Sequence, residues 1–127
     1  MEDKKILIIE DEAAIRELLV RILSTAGFHA EEVDNAEAAL QTLRENSYDL
    51  ILLDLHMPGQ FDGEEFLYMI RDQGDQVPII VVSGWVDEDL TVHQPGCVYA
   101  VIKKPIQSDL LLTRVREILS ADPLSEL

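Results

Sequence analysis

Four short apolar runs, Ile6-Leu7-Ile8-Ile9, Leu50-Ile51-Leu52-Leu53, Ile79-Ile80-Val81-Val82 and Val101-Ile102, constrain this chain more than anything else in it. None of them alternates with polar residues, so a strand made from any of them must be covered on both faces. The segments between the runs carry helical periodicity, which predicts central strands of a parallel sheet with helices above and below. Polar groups follow each run: Glu10 and Asp11, Asp54, Ser83, and Lys104-Pro105. Open parallel sheets bind ligands at the carboxyl ends of their strands. Three carboxylates, a hydroxyl and an ammonium should therefore meet at one sheet edge, a set suited to a divalent metal and a phosphoryl group.

The intervening patterns supply the remaining elements. Lys5 to Ile9 is the first strand, and Asp11 or Glu12 is placed to cap a helix whose Ile15, Leu18, Leu19, Ile22 and Leu23 recur at helical spacing until Gly27 stops it. Phe28 to Val33 forms a more polar strand suited to an edge, and Asp34-Asn35 caps a helix carrying Ala38, Ala39, Leu40 and Leu43. Asp49 to Leu53 is the third strand, a helix from about Gly63 to Arg71 buries Phe66, Leu67 and Ile70, and Pro78 to Val82 is the fourth strand. Between Ser83 and Gly96 a weak apolar stripe, cut by Pro95-Gly96, predicts a short or frayed helix. Val98 to Ile102 is the fifth strand, and Ser108 caps a last helix with Leu111, Leu112, Val115, Ile118 and Leu119 on its core face. Right-handed crossovers then give a three-layer α/β/α sandwich. Periodicity alone leaves the strand order open.

At 127 residues, 47% of them apolar, the chain is expected to form one domain over residues 1–121, with 122–127 a terminal tail or the start of a linker. No apolar stretch approaches the roughly 20 residues of a membrane helix, and the start Met1-Glu2-Asp3-Lys4-Lys5 lacks a signal-peptide pattern, so a soluble cytoplasmic protein is expected. Cys97 is the only cysteine; it excludes an intrachain disulfide and a cysteine-rich zinc site, and is read as a small buried filler. With 25 Asp plus Glu against 10 Lys plus Arg, a formal net charge of −15 argues against direct contact with nucleic acid or an anionic membrane. Much of that excess, in Glu31-Glu32, Glu64-Glu65 and Asp87-Glu88-Asp89, reads as solvated surface.

Glu10-Asp11-Glu12 after the first strand, Leu53-Asp54-Leu55-His56-Met57-Pro58 after the third, Ser83-Gly84 after the fourth and Lys104-Pro105 after the fifth together resemble the receiver domain of two-component response regulators. Each motif alone is weak; four in the right order, over nearly the whole chain, are specific. The resemblance implies a flavodoxin-like sheet of order 2-1-3-4-5. It implies Asp54 as phosphoacceptor, with Glu10, Asp11, Asp54 and the His56 backbone carbonyl around Mg2+ or Mn2+, and Ser83 and Lys104 on the phosphoryl oxygens. Phosphoryl transfer to a carboxylate brings two anions together, so a metal and an ammonium are the charges such a site needs. Without metal, three adjacent carboxylates should raise the proton affinity of at least one. Glu10 reaches one methylene further than an aspartate would. The likeness also implies a cis peptide bond at Pro105, a sensor histidine kinase or histidine phosphotransfer protein as donor, and an output domain or partner protein of unknown kind; a homodimer is left open. His56 and Trp85, each two residues past a site residue, are read as bulky groups at its mouth that set how long the phosphoryl group survives.

The chain also departs from that family. An aromatic switch residue usually lies three positions before the lysine, where this sequence has Val101; Tyr99 is two residues earlier, on the same strand face but about 6.6 Å further away. Ser83, Tyr99 and Val101 are therefore the candidate switch residues. One extra residue lies between Pro58 and Asp62-Gly63, and the segment before the fifth strand is degenerate, which bears on partner recognition rather than on phosphotransfer. Two other functions compete with a phosphoacceptor: a receiver-like docking domain without phosphate turnover, and an aspartyl-phosphate phosphatase of the haloacid dehalogenase type. The intact acid, hydroxyl and lysine set argues against the first. The second calls for an aspartate general acid where His56 stands.

Overall fold

The computed structural model of the chain describes residues 4–54, 63–72, 77–83 and 98–120. In chain order the elements are β1 (Lys5–Ile9), α1 (Ala13–Thr25), β2 (His29–Val33), α2 (Ala36–Glu45), β3 (Leu50–Leu53), α3 (Gly63–Asp72), β4 (Ile79–Ser83), β5 (Val98–Lys103) and α4 (Ser108–Ser120). The helix expected between Ser83 and Gly96, the turn at Met57-Pro58-Gly59 and the tail from Ala121 lie outside the described residues. None of the described helices is long and apolar enough to cross a membrane.

All five strands are parallel, in the order β2-β1-β3-β4-β5. The uninterrupted apolar runs explain the arrangement, because β1 and β3 have helices on both sides. Leu7, Ile9, Ile51, Leu53, Ile79 and Val81 pack with α2 and α3. Ile6, Ile8, Leu50, Leu52, Ile80, Val82 and Ile102 pack on the other face with α1 and α4. Each of these side chains is at most 2% exposed, and burial of that kind contributes roughly 1.5–3 kcal/mol per residue. β2 carries the polar pattern of an edge. Its Glu31 accepts a 2.6 Å hydrogen bond from the Tyr48 hydroxyl and lies 3.7 Å from Lys5 Nζ, and the Tyr48 bond holds the Glu31 carboxyl below the usual range.

Helix ends follow local chemistry, with small departures from expectation. Gly27 is left-handed, φ 99°, and Gly27 and Phe28 donate to the carbonyls of Ser24 and Leu23, so a glycine closes α1 in a Schellman motif. Glu12 occupies the N-cap of α1 but makes no side-chain capping bond. Leu18, expected on the core stripe, is 40% exposed at its margin. Ser108 is the first helical residue of α4, one position inside the cap expected of it. Asn35 does cap α2, its Oδ1 accepting from Ala38 N at 2.8 Å. Asn35→Ala should therefore cost about 1 kcal/mol, read as a lower urea midpoint with an unchanged slope; an unchanged midpoint would remove the cap from the account of α2.

Candidate functional site

Strand register places the acids. Ile9 pairs with Leu53, and Asp54 N donates to Ile9 O at 3.0 Å, so the ladder carries Glu10 and Asp54 side by side off neighbouring strands. Glu10 N donates to Val33 O at 3.2 Å, fixing the first residue of the turn against β2 as well. Glu10 and Asp54 are the buried charged residues among those described, 1% and 4% exposed. Asp11 is half-buried beside them. One carboxylate oxygen from each of Glu10, Asp11 and Asp54 lies within 4.8 Å of the others, a separation that suits a single cation.

Lys104 brings the opposing charge from the far side of the sheet. Its Nζ lies 3.1 Å from Glu10 Oε1, 3.5 Å from Asp54 Oδ2 and 3.9 Å from Glu12 Oε1. Burial alone would lower its pKa; Glu10, Asp54 and Glu12 together outweigh that and hold the ammonium above the ordinary lysine range. For Glu10, burial pushes the carboxyl up to about 7, against the lowering effects of the Glu12 N–H and of Lys104, while Asp54 adds to the rise. The higher proton affinity of Glu10 thus comes first from burial and then from Asp54. The folded chain holds the Glu10 proton more tightly than the unfolded chain, so this contribution to stability fades as pH rises from about 4.5 to about 7.

The donor set fits a hard divalent cation. Glu10 Oε2 accepts from Glu12 N at 3.2 Å, whereas Oε1 is enclosed with no hydrogen bond of full geometry and has the Lys104 ammonium 3.1 Å away. A buried carboxylate oxygen left in that state, beside two more carboxylates, is what Mg2+ or its waters would satisfy.

The other expected site residues fall as follows. Ser83 ends β4 paired with Lys103, one residue before Lys104; its side chain is outside the described residues, as are His56 and Trp85 altogether. The Lys104-Pro105 bond is cis. Val101 pairs with Val81 and packs, half-buried, on the α2–α3 face. Val98 pairs with Ile79 and Ala100 with Ile80, so the register slips by one at Tyr99. The side chain of Tyr99 lies outside the described residues. Two participants were not apparent as such in the sequence. Glu12, read as a cap, faces Lys104 instead, and Arg16 donates to the backbone of the acidic turn.

A doubly wound α/β domain with an acidic cluster and a lysine at the carboxyl edge of its sheet is a class used for cation-assisted phosphate chemistry. Comparison with known proteins narrows it: residues 6–116 match the model for the response regulator receiver domain, and the chain belongs to that family. It is 34% identical over 125 residues to the response regulator protein FleR of Pseudomonas aeruginosa, covering 96% of this chain and 26% of that protein. It is 33% identical over 124 residues to the transcriptional regulatory protein FixJ of Bradyrhizobium diazoefficiens, covering 95% and 60%. The chain thus spans between about a quarter and three fifths of the length of these relatives. Among solved structures it is similar to the response regulator TrrA of Thermotoga maritima in complex with Mg2+-BeF, with TM-score 0.80, 30% identity and coverage of 91% and 99%. A receiver domain protein from Methanospirillum hungatei gives TM-score 0.84 at 27% identity, covering 93% and 94%.

Proposed function

We propose that residues 1–121 form a cytoplasmic phosphoacceptor domain in which Asp54 takes a phosphoryl group from the histidine of a sensor kinase or phosphotransfer protein and signals to an output domain or partner. The observation that carries this is the convergence on Asp54: Lys104 Nζ at 3.5 Å, with Glu10 and Asp11 oxygens within 4.8 Å. In the transfer, a carboxylate oxygen of Asp54 attacks phosphorus as the phosphorus–nitrogen bond to the donor imidazole breaks and its electron pair returns to the ring nitrogen. Lys104 turns from its carboxylate partners toward the phosphoryl oxygens, and the Ser83 hydroxyl is the further donor to them. Glu10, Asp11, Asp54 and the His56 carbonyl are the groups to hold Mg2+ or Mn2+, which when bound offsets the negative charge of donor and acceptor. Support comes from the family and from TrrA, whose solved complex contains Mg2+-BeF.

Incubation with acetyl phosphate and Mg2+ should add one phosphoryl group by intact mass, and a chelator should prevent it. A chain left unmodified in both arms would overturn the reading. The site should also bind Mg2+ in a pH-dependent manner. Glu10 titrates at about 7 without metal, and a cation must displace its proton, so affinity should rise about tenfold from pH 6 to pH 8. Calorimetric titration of Mg2+ at the two pH values checks the sign, and Glu10→Gln should flatten the dependence. An affinity that falls over this range would contradict the proposed role of Glu10.

A further inference from the structure

We propose that Arg16 is a positioning residue for the acidic turn, holding Glu10 and Asp11 so that their carboxylates converge on one cation; this rests on the metal-binding reading of the site. Arg16 is in the first turn of α1, and its side chain, 17% exposed, runs back toward the N-terminus of the helix. Nη1 donates to the Glu10 carbonyl at 2.9 Å and approaches the Asp11 carbonyl at 3.4 Å. Nε donates to Glu32 Oε1 on β2 at 3.2 Å. One planar guanidinium therefore joins two consecutive carbonyls of the turn to a carboxylate on the neighbouring strand.

The consequence for the site is geometric. Rotating the peptide planes after Glu10 or Asp11 changes the backbone dihedrals that aim the two side chains. Holding both carbonyls removes that freedom. Glu12 makes no side-chain capping bond that would lock the turn; other ties on it include Glu10 N to Val33 O, Glu12 N to Glu10 Oε2 and the contacts of Lys104 Nζ with the Glu10 and Glu12 side chains, none of which holds the Glu10 and Asp11 carbonyls. Glu32 in turn fixes the plane of the guanidinium, as groups behind metal ligands commonly do. A lysine has the charge but not the fork, and cannot serve the carbonyls and Glu32 from one rigid plane. Were Arg16 only part of a half-exposed ion pair, its removal would cost little in stability and nothing in cation affinity.

The two roles separate in a Mg2+ titration by calorimetry at pH 8, with thermal melting of the metal-free chain alongside. Arg16→Ala should weaken Mg2+ binding about tenfold, toward the low end of the effect of removing outer-shell partners. Arg16→Lys should fall between it and the parent, and Glu32→Gln should weaken binding in the same direction by a smaller factor. Affinities within twofold of the parent in all three variants would overturn the proposal; if Arg16→Ala fails to fold, Arg16→Lys and Glu32→Gln decide it. A parent that binds no Mg2+ sinks the metal reading itself, whereas a parent that binds, with unaltered variants, sinks only the role of Arg16.

Discussion

Asp54→Asn should remain unmodified under conditions in which the parent gains one phosphoryl group from acetyl phosphate and Mg2+. The amide has no anionic oxygen to attack phosphorus, and it replaces one of three carboxylates with a neutral ligand, so nucleophile and cation affinity are lost together. The fold should not suffer. Asp54 is 4% exposed and its charge raises the proton affinity of Glu10; a neutral isostere relieves that repulsion, so the metal-free variant should melt no lower than the parent. Intact mass spectrometry with a parallel melting curve reads both halves. Equal phosphorylation of parent and variant would put the phosphoryl group elsewhere, and peptide mapping would locate it.

The sheet was legible because its central strands have no polar face. Ile6 to Ile9 and Leu50 to Leu53 have only one way to be buried, and once they are parallel neighbours, the residues after them meet at one edge. That is why the sequence alone groups Glu10, Asp11, Asp54 and Lys104. The strand order needed a family resemblance, since an apolar run does not say which neighbour it takes. Finer features depend on contacts that no periodicity encodes. The bonds of Arg16 run to main-chain carbonyls and to a residue sixteen positions away, and an arginine at the start of an amphipathic helix looks like any solvated charge. The register slip at Tyr99 is equally silent in sequence, because it is fixed by the pairing of β4 with β5. Leu18 fits a helical stripe wider than the core it meets, and so sits at its margin.

Lys104→Gln should move two measurements in opposite directions. Phosphoryl transfer to Asp54 should fall by 10²–10³, on the order of the loss when one preorganised charge-stabilising donor is removed from a reaction centre. Affinity for Mg2+ at pH 8 should instead increase severalfold. Lys104 Nζ lies 3.1 Å from Glu10 and 3.5 Å from Asp54, so in the metal-free chain it is the cation already facing these carboxylates, and its removal deletes a competing like charge. The same deletion favours a proton on Glu10, already raised to about 7 with Lys104 in place, but a divalent ion gains more than a proton from the added negative field. Protonation also limits the damage to the fold: a buried carboxylate that loses its partner normally costs several kcal/mol, whereas Glu10 can discharge near neutral pH. A variant that had merely unfolded would lose transfer and Mg2+ binding together. A variant that kept the parent's transfer rate would show that Lys104 neutralises the resting site without stabilising the reaction.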